Sequence, residues 1–222
     1  MPESDAFVAP RARLFLDAFA GERVYGSMEL RLDRGETPAP GSLDARIEQV
    51  FARVRPTSAP VELQLGRFAS PFGAYATRHH TPADVFVRPP LSYDGRTVLQ
   101  ARVVPPNATG LLTWKNRPDE FRATGAPPTW NVPYQWGAMA LVRAGPLDGR
   151  VAWMNGVPSS APESWAWDPD RFEHGALVVG ATWAATPELR VGGSWTRGPY
   201  LEPLLRGALP AGAELHDFDQ EL

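Results

Sequence analysis

The sequence predicts an all-β protein, an antiparallel transmembrane β-barrel that this chain forms in whole or in part, with short turns at one end and long loops at the other. Three observations predict it. Apolar and polar residues alternate with period two through several runs, as they must where successive side chains of a strand point to opposite faces. The connections between these runs alternate strictly between tight turns and long links, which is how membrane barrels sort short periplasmic turns from longer outer loops. No uncharged apolar stretch approaches the roughly 18 residues that a membrane helix needs, so any crossing falls to strands of about 9–11 residues.

The runs follow in order. Arg11–Phe19 and Arg23–Leu32 meet at Ala20-Gly21-Glu22, where glycine supplies the turn geometry. In the second run Val24, Gly26, Met28, Leu30 and Leu32 alternate with Tyr25, Ser27, Glu29 and Arg31, matching a strand and failing a helix. After the Pro/Gly-rich link Arg34–Ser42, Asp44–Arg55 and Val61–Phe68 pair across Pro56–Pro60. Asp44–Arg55 is the irregular member, and Ile47, Val50, Phe51 and Val54 leave one face of a short helix open as a second reading. From Phe72 to Tyr134 alternation mostly stops, with only Thr97–Val104 and Leu111–Trp114 strand-like. Residues 73–134 are therefore read as one long loop, a candidate constriction, because a structureless stretch of that length in a compact domain calls for a function. Pairing resumes with Gln135–Ala144 and Arg150–Asn155 across Gly145–Gly149. After the link Gly156–Glu173, the runs within Leu177–Tyr200 close the series across Thr186-Pro187-Glu188. There Leu177, Val179, Ala181 and Trp183 share one face, and Val178, Gly180 and Thr182 the other. The count is about eight strands in a single domain over 1–222, with an irregular tail at 203–222 that lacks a strand pattern.

Composition excludes several classes. The net charge is −3, so the chain lacks the general basic field of a protein that binds nucleic acid through phosphates. There is no cysteine, hence neither a disulfide framework nor a thiolate metal site. Met1-Pro2-Glu3-Ser4-Asp5 has no basic start leading into an apolar run, so it is not an export signal. For an outer-membrane protein the expectation is then that the native start lies outside this sequence, and that further strands lie beyond its tail.

Gly66-Arg67-Phe68-Ala69-Ser70-Pro71-Phe72-Gly73 closes the Val61 strand. Pro71 cannot donate to a ladder and Gly73 can turn sharply, so the strand ends there. This segment resembles a strand end of porin-like outer-membrane barrels, including the phosphate-selective porin group and related bacterial porins. Arg88-Pro89-Pro90-Leu91-Ser92-Tyr93, Tyr134-Gln135-Trp136-Gly137 and Trp153-Met154-Asn155-Gly156 extend the resemblance over about Ala45 to Tyr200. It implies a channel in a bacterial outer membrane that passes small hydrophilic solutes by diffusion, with lipid as its surroundings, no cofactor and no enzymatic step. Association with further copies of itself stays open.

Arginine carries the candidate site. Arg13, Arg31, Arg46, Arg53, Arg67, Arg143 and Arg190 lie in strands, where a cation on lipid costs roughly 2–4 kcal/mol near the midplane, so they are expected to face the lumen. Arg78, Arg88, Arg96, Arg117 and Arg122 fall in the long loop, where rings of cations select anions. The pore-lining set is thus Arg67, Arg78, Arg88, Arg96, Arg117, Arg122 and Arg190, and the solutes are expected to be anionic. An ordinary solvated surface accounts for the same arginines if the sheet is not a pore. His79-His80 with Asp84, and Asp168-Pro169-Asp170, lack a full ligand set. No phosphate loop, nucleophile elbow or Ser–His–Asp order stands out. Trp130, Trp136, Trp153, Trp165, Trp167, Trp183 and Trp195 mostly sit at strand ends, as in the aromatic girdles of membrane barrels. The rival reading is a soluble β-sandwich that binds carbohydrate on Trp130, Trp165 and Trp167. A barrel with a plugged lumen that only anchors the envelope is a third.

Overall fold

The computed structural model describes residues 12–33, 44–56, 59–74, 95–113, 125–130 and 132–222. They form one antiparallel sheet of nine strands in sequence order: β1 (Ala12–Ala20), β2 (Val24–Asp33), β3 (Asp44–Val54), β4 (Val61–Ala69), β5 (Tyr134–Ala144), β6 (Leu147–Met154), β7 (Ala176–Ala184), β8 (Arg190–Pro199) and β9 (Asp219–Glu221). Each strand pairs only with its neighbours in the chain, and β1 and β9 are free edges, so the sheet is open. No described helix is long and apolar enough to cross a membrane.

All four hairpin turns lie at one end of the sheet and all four long links at the other, as the spacing of the runs predicts. The β5–β6 turn is tighter than expected. It consists of Gly145-Pro146 alone, because Ala144 pairs with Leu147. Gly145 has φ 57° and Pro146 is held at negative φ by its ring, the sequence of signs that a two-residue hairpin of type II′ requires. The strand therefore starts at Leu147, three residues before the run Arg150–Asn155.

The Asp44–Arg55 ambiguity resolves as strand, and a bulge explains it. Glu29 pairs with Gln49 but Leu30 pairs with Ile47, leaving Glu48 as an extra residue. A bulge turns two successive side chains to one side. Glu48 and Gln49 both bond groups on the polar face, while Ile47 and Val50 keep the apolar row. The apolar spacing of three that imitates a helix is the footprint of that inserted residue.

Three expectations are corrected. Thr97–Val104 is not a strand but an irregular segment tied by Thr97 to the backbone of Ala126. Within the stretch Leu111–Trp114, residues Leu111–Thr113 belong to α1 (Ala108–Thr113). Asn107 starts that helix, its side-chain oxygen accepting from Gly110 and its carbonyl from Leu111, and local capping of this kind outweighs a short apolar run. The tail is not wholly irregular either, for Asp219–Glu221 adds to β8 as β9. Its polar sequence carries no alternation, and side chains hold it instead: Arg197 on Asp219 at 2.8 Å and the Trp195 indole on Glu221 at 2.9 Å.

Register puts the alternating residues into two continuous faces. One is apolar from β1 to β8, including Leu14, Leu30, Ile47, Leu63, Leu65, Val142, Val151, Leu177, Val179 and Val191, and turns charged at the β9 edge with Arg197, Asp219 and Glu221. No described segment covers it: Leu65 is 59% exposed, Val151 49% and Val191 55%. The other face holds the charged residues and the core. Phe68, Met139, Ala152, Met154 and Val178 project from it into one buried cluster, against which Phe72 packs. The long links fold over its far end, where Val157, Tyr200, Leu201 and Leu215 form a second cluster and Val132, Tyr134 and Trp165 a third.

Candidate functional site on the polar face

The polar face of β1–β3 carries a continuous ionic lattice. Arg13 reaches Glu29 at 2.9 Å, Arg31 reaches Glu48 at 2.8 Å, and Arg46 bridges Glu48 at 3.0 Å and Asp33 at 2.9 Å, with Asp44 at 2.9 Å on its outer side. Gln49 donates to the second oxygen of Glu29. Glu29 and Glu48 are 1% and 2% exposed, which is tolerable only because each carboxylate is met by a guanidinium. Here three arginines face four carboxylates, so every cation of the lattice is neutralised within it.

Charge on the inward rows of β3–β8 is differently balanced. Arg53 is fixed by two bonds to the Gln64 amide oxygen at 3.0 and 2.6 Å and lies 3.7 Å from Glu62. Arg55, at the turn, also bonds Glu62. Arg143 lies 3.7 Å from Asp148, both well exposed. Outside the lattice, with Arg150 and Arg190, the turn-side half of β3 and the polar rows of β4–β8 present four arginines, 53, 143, 150 and 190, against the two carboxylates Glu62 and Asp148. The cationic surplus lies toward the short-turn end.

Arg67, Arg96 and Arg190 of the expected pore-lining set lie among the described residues. Arg190 is exposed at the turn end of β8, with no ion-pair partner among the described residues. Arg67 stands in register with Val50 and Trp136 at the rim and donates to the Tyr134 carbonyl at 3.2 Å. It caps a strand end instead of standing in the middle of the polar face. Arg96 lies in the β4–β5 link, its guanidinium 4.5 Å above the Trp130 ring and its Nη1 on the Gly125 carbonyl at 3.3 Å. Arg78, Arg88, Arg117 and Arg122 lie outside the described residues, as do His79, His80 and Asp84. Asp168 is a helix cap, accepting from the Asp170 amide at the start of α2 (Pro169–Glu173). No three His, Asp or Glu converge among the described residues.

Arg150, Gln64, Glu62 and Ser194 join the site although none belongs to the expected pore-lining set. Their signal was the same alternation: Glu62 and Gln64 share a row of β4, and Arg150 shares one with Ala152 and Met154. The start of the long link also comes into the site. Ser70–Gly73 turns across the polar face, where the Gly73 amide donates to Ser194 Oγ at 2.8 Å and Arg150 Nη2 donates to the Gly73 carbonyl at 3.0 Å.

Aromatics flank the apolar face at both ends. At the long-link end Trp136 meets Trp167 edge to face and Trp167 meets Phe172 at a tilt, each pair with centroids 5.2 Å apart, and the Trp153 indole donates to the Phe172 carbonyl. At the short-turn end Trp183 is exposed. From Leu177, which pairs with Trp153, to Trp183 is about 20 Å along β7 at ~3.3 Å per residue. Trp130, Trp165 and Trp167 do not share one open platform: Trp165 is 4% exposed and bonds Ser160, whereas Trp167 is 61% exposed. No protein-family model matches the chain, and no curated protein matches it in sequence.

Proposed function

We propose that this chain forms the wall of a channel in a bacterial outer membrane, through which small hydrophilic solutes, anions preferentially, diffuse without a cofactor. One observation carries the reading: an uncovered apolar face runs across the sheet, back to back with a charged one. In water such a face is a liability far larger than the patches ordinary monomers expose. Against hydrocarbon it is what a spanning strand requires, with polar side chains turned to a wet lumen and aromatics at the interfaces. Strand lengths of 8–11 residues in β1–β8 fit a bilayer crossing. The long-link end would face outward and the hairpin end the periplasm.

Strand direction limits how such a sheet could close. β1 and β9 both run from the long-link end to the short-turn end. They are parallel to each other, so an antiparallel barrel built on this sheet takes an odd number of further strands between them. The total is then even, as in bacterial single-chain barrels.

Anion preference rests on the surplus of Arg53, Arg143 and Arg190 on the inward rows; the constriction proposed for the long link would add Arg78, Arg88, Arg96, Arg117 and Arg122. Fixed cations along a narrow path lower the cost of holding a partly dehydrated anion. Planar-bilayer recording tests this. Detergent-purified protein should give discrete current steps, with a reversal potential on the anion-selective side in a salt gradient. Arg53, Arg143 and Arg190 changed together to Glu should move it to the cation side, and Arg88 and Arg96 changed to Glu should weaken it. Protein that stays monomeric without detergent and yields no steps would sink the reading.

A further inference from the structure

We propose that Ser70–Gly73 is a strap held across the lumen face by Arg150 and Ser194, and that Arg150 works as its anchor, a positioning residue, instead of as a free pore cation. The inference rests on the channel reading for its consequence, the width of the bore, but the strap itself is tested without any current.

The geometry is over-determined. Gly73 is gripped at both backbone groups, its N–H by Ser194 on β8 and its C=O by Arg150 on β6. These contacts join positions 121 and 77 residues apart in sequence, so they are not by-products of a local turn. Phe72 adds an apolar foot on the cluster of Phe68, Met139, Ala152, Met154 and Val178. At the strap's other end the Ser70 amide bonds the Pro133 carbonyl, and Ser70 and Pro71 are buried.

The sheet is cut to let Arg150 reach. Its partner across β7 is Gly180, and a Cβ there would lie 2.7 Å from Arg150 Nε and 3.2 Å from its Cγ. The missing side chain leaves a trough in which the arginine stem lies flat, delivering the guanidinium to Gly73. A cation meant to titrate the lumen potential needs no such trough. A planar donor aimed at one carbonyl does.

A hydrogen bond from a charged donor shifts the docked-to-released ratio by about tenfold or more. The chain has no cysteine, so Ser70→Cys introduces a single thiol in the strap. Its labelling by a maleimide in detergent should be slow in an otherwise native background and about tenfold faster with Arg150→Ala. Gly180→Val, which fills the trough, and Ser194→Ala, which frees the Gly73 amide, should accelerate it too. In bilayers the same variants should pass larger current steps and admit larger neutral sugars than the native protein. Should Arg150→Ala itself fail to fold, Gly180→Val and Ser194→Ala carry the test. The proposal is overturned if thiol labelling and sugar cut-off stay at the native level while Arg150→Ala lowers only the anion-to-cation permeability ratio, for Arg150 is then a lumen charge and nothing more. Absence of any current in the native protein, with labelling faster in the variants, would leave the strap standing and remove the channel.

Discussion

Single residues on the polar face divide into those that hold the wall together and those that present charge. Glu48 belongs to the first kind. It is an inserted residue, almost wholly buried, and it answers both Arg31 and Arg46. Changing Glu48 to Ala leaves two guanidiniums facing each other with less compensation. Breaking a buried pair costs about 3–5 kcal/mol, and the lower end applies because the arginines keep some solvent. Urea unfolding of the detergent-solubilised protein should show a loss of that order, and an unchanged midpoint would mean that the lattice is decorative. Arg31 could be placed on this face from sequence by parity, and Arg46 only by the cost of setting a cation on lipid. Glu48 could not, because a bulge breaks the parity that would have assigned it, and nothing in the run Asp44–Val54 announces where the extra residue falls.

Among the elements, the links between β6 and β7 and between β8 and β9 are packed on each other at the long-link end. His174 sits at that contact, its ring 5.8 Å from His216, with both of its nitrogens buried and without hydrogen-bond partners. Burial, with the Arg206 guanidinium and His216 close by, holds its pKa below the ordinary value, although Glu173 and Asp170 pull the other way. A base whose folded pKa is depressed contributes its full stability above the unfolded pKa of about 6.5, and that contribution is lost as pH falls below it. Limited proteolysis within residues 200–218 should therefore be slow at pH 7.5 and accelerate as the pH drops below about 6.5. His174→Gln should flatten that dependence while His216→Gln should only reduce it. A pH-independent cleavage rate in the native protein would refute the idea. Nearby, burial pushes the Tyr200 phenol up to about 12, so it stays neutral throughout this range and does not contribute to the slope.

At the level of the whole molecule the question is what the apolar face touches. Arginine in place of Val179, in mid-strand and paired with Val151 and Trp195, answers it. On lipid the change costs roughly 2–4 kcal/mol, and folding into bilayer vesicles should be weakened accordingly. On a water-facing surface the same substitution would be close to neutral and would improve solubility, an outcome incompatible with a membrane wall.

Alternation along the chain determined the strands, their neighbours and the sorting of turns from links, because a period of two is written residue by residue and hairpin pairing is local. It also determined that one face of each strand is greasy and the other polar. Only the tertiary structure decided which cations are neutralised and which are left over, since Arg31 meets Glu48, Arg53 meets Gln64 and Arg150 meets Gly73 across different strands or links whose register depends on a bulge at Glu48 and a two-residue turn at Gly145. It decided, too, that the strand after Leu215 exists at all: Asp219–Glu221 has no propensity of its own, and β8 with Trp195 and Arg197 supplies the edge that orders it.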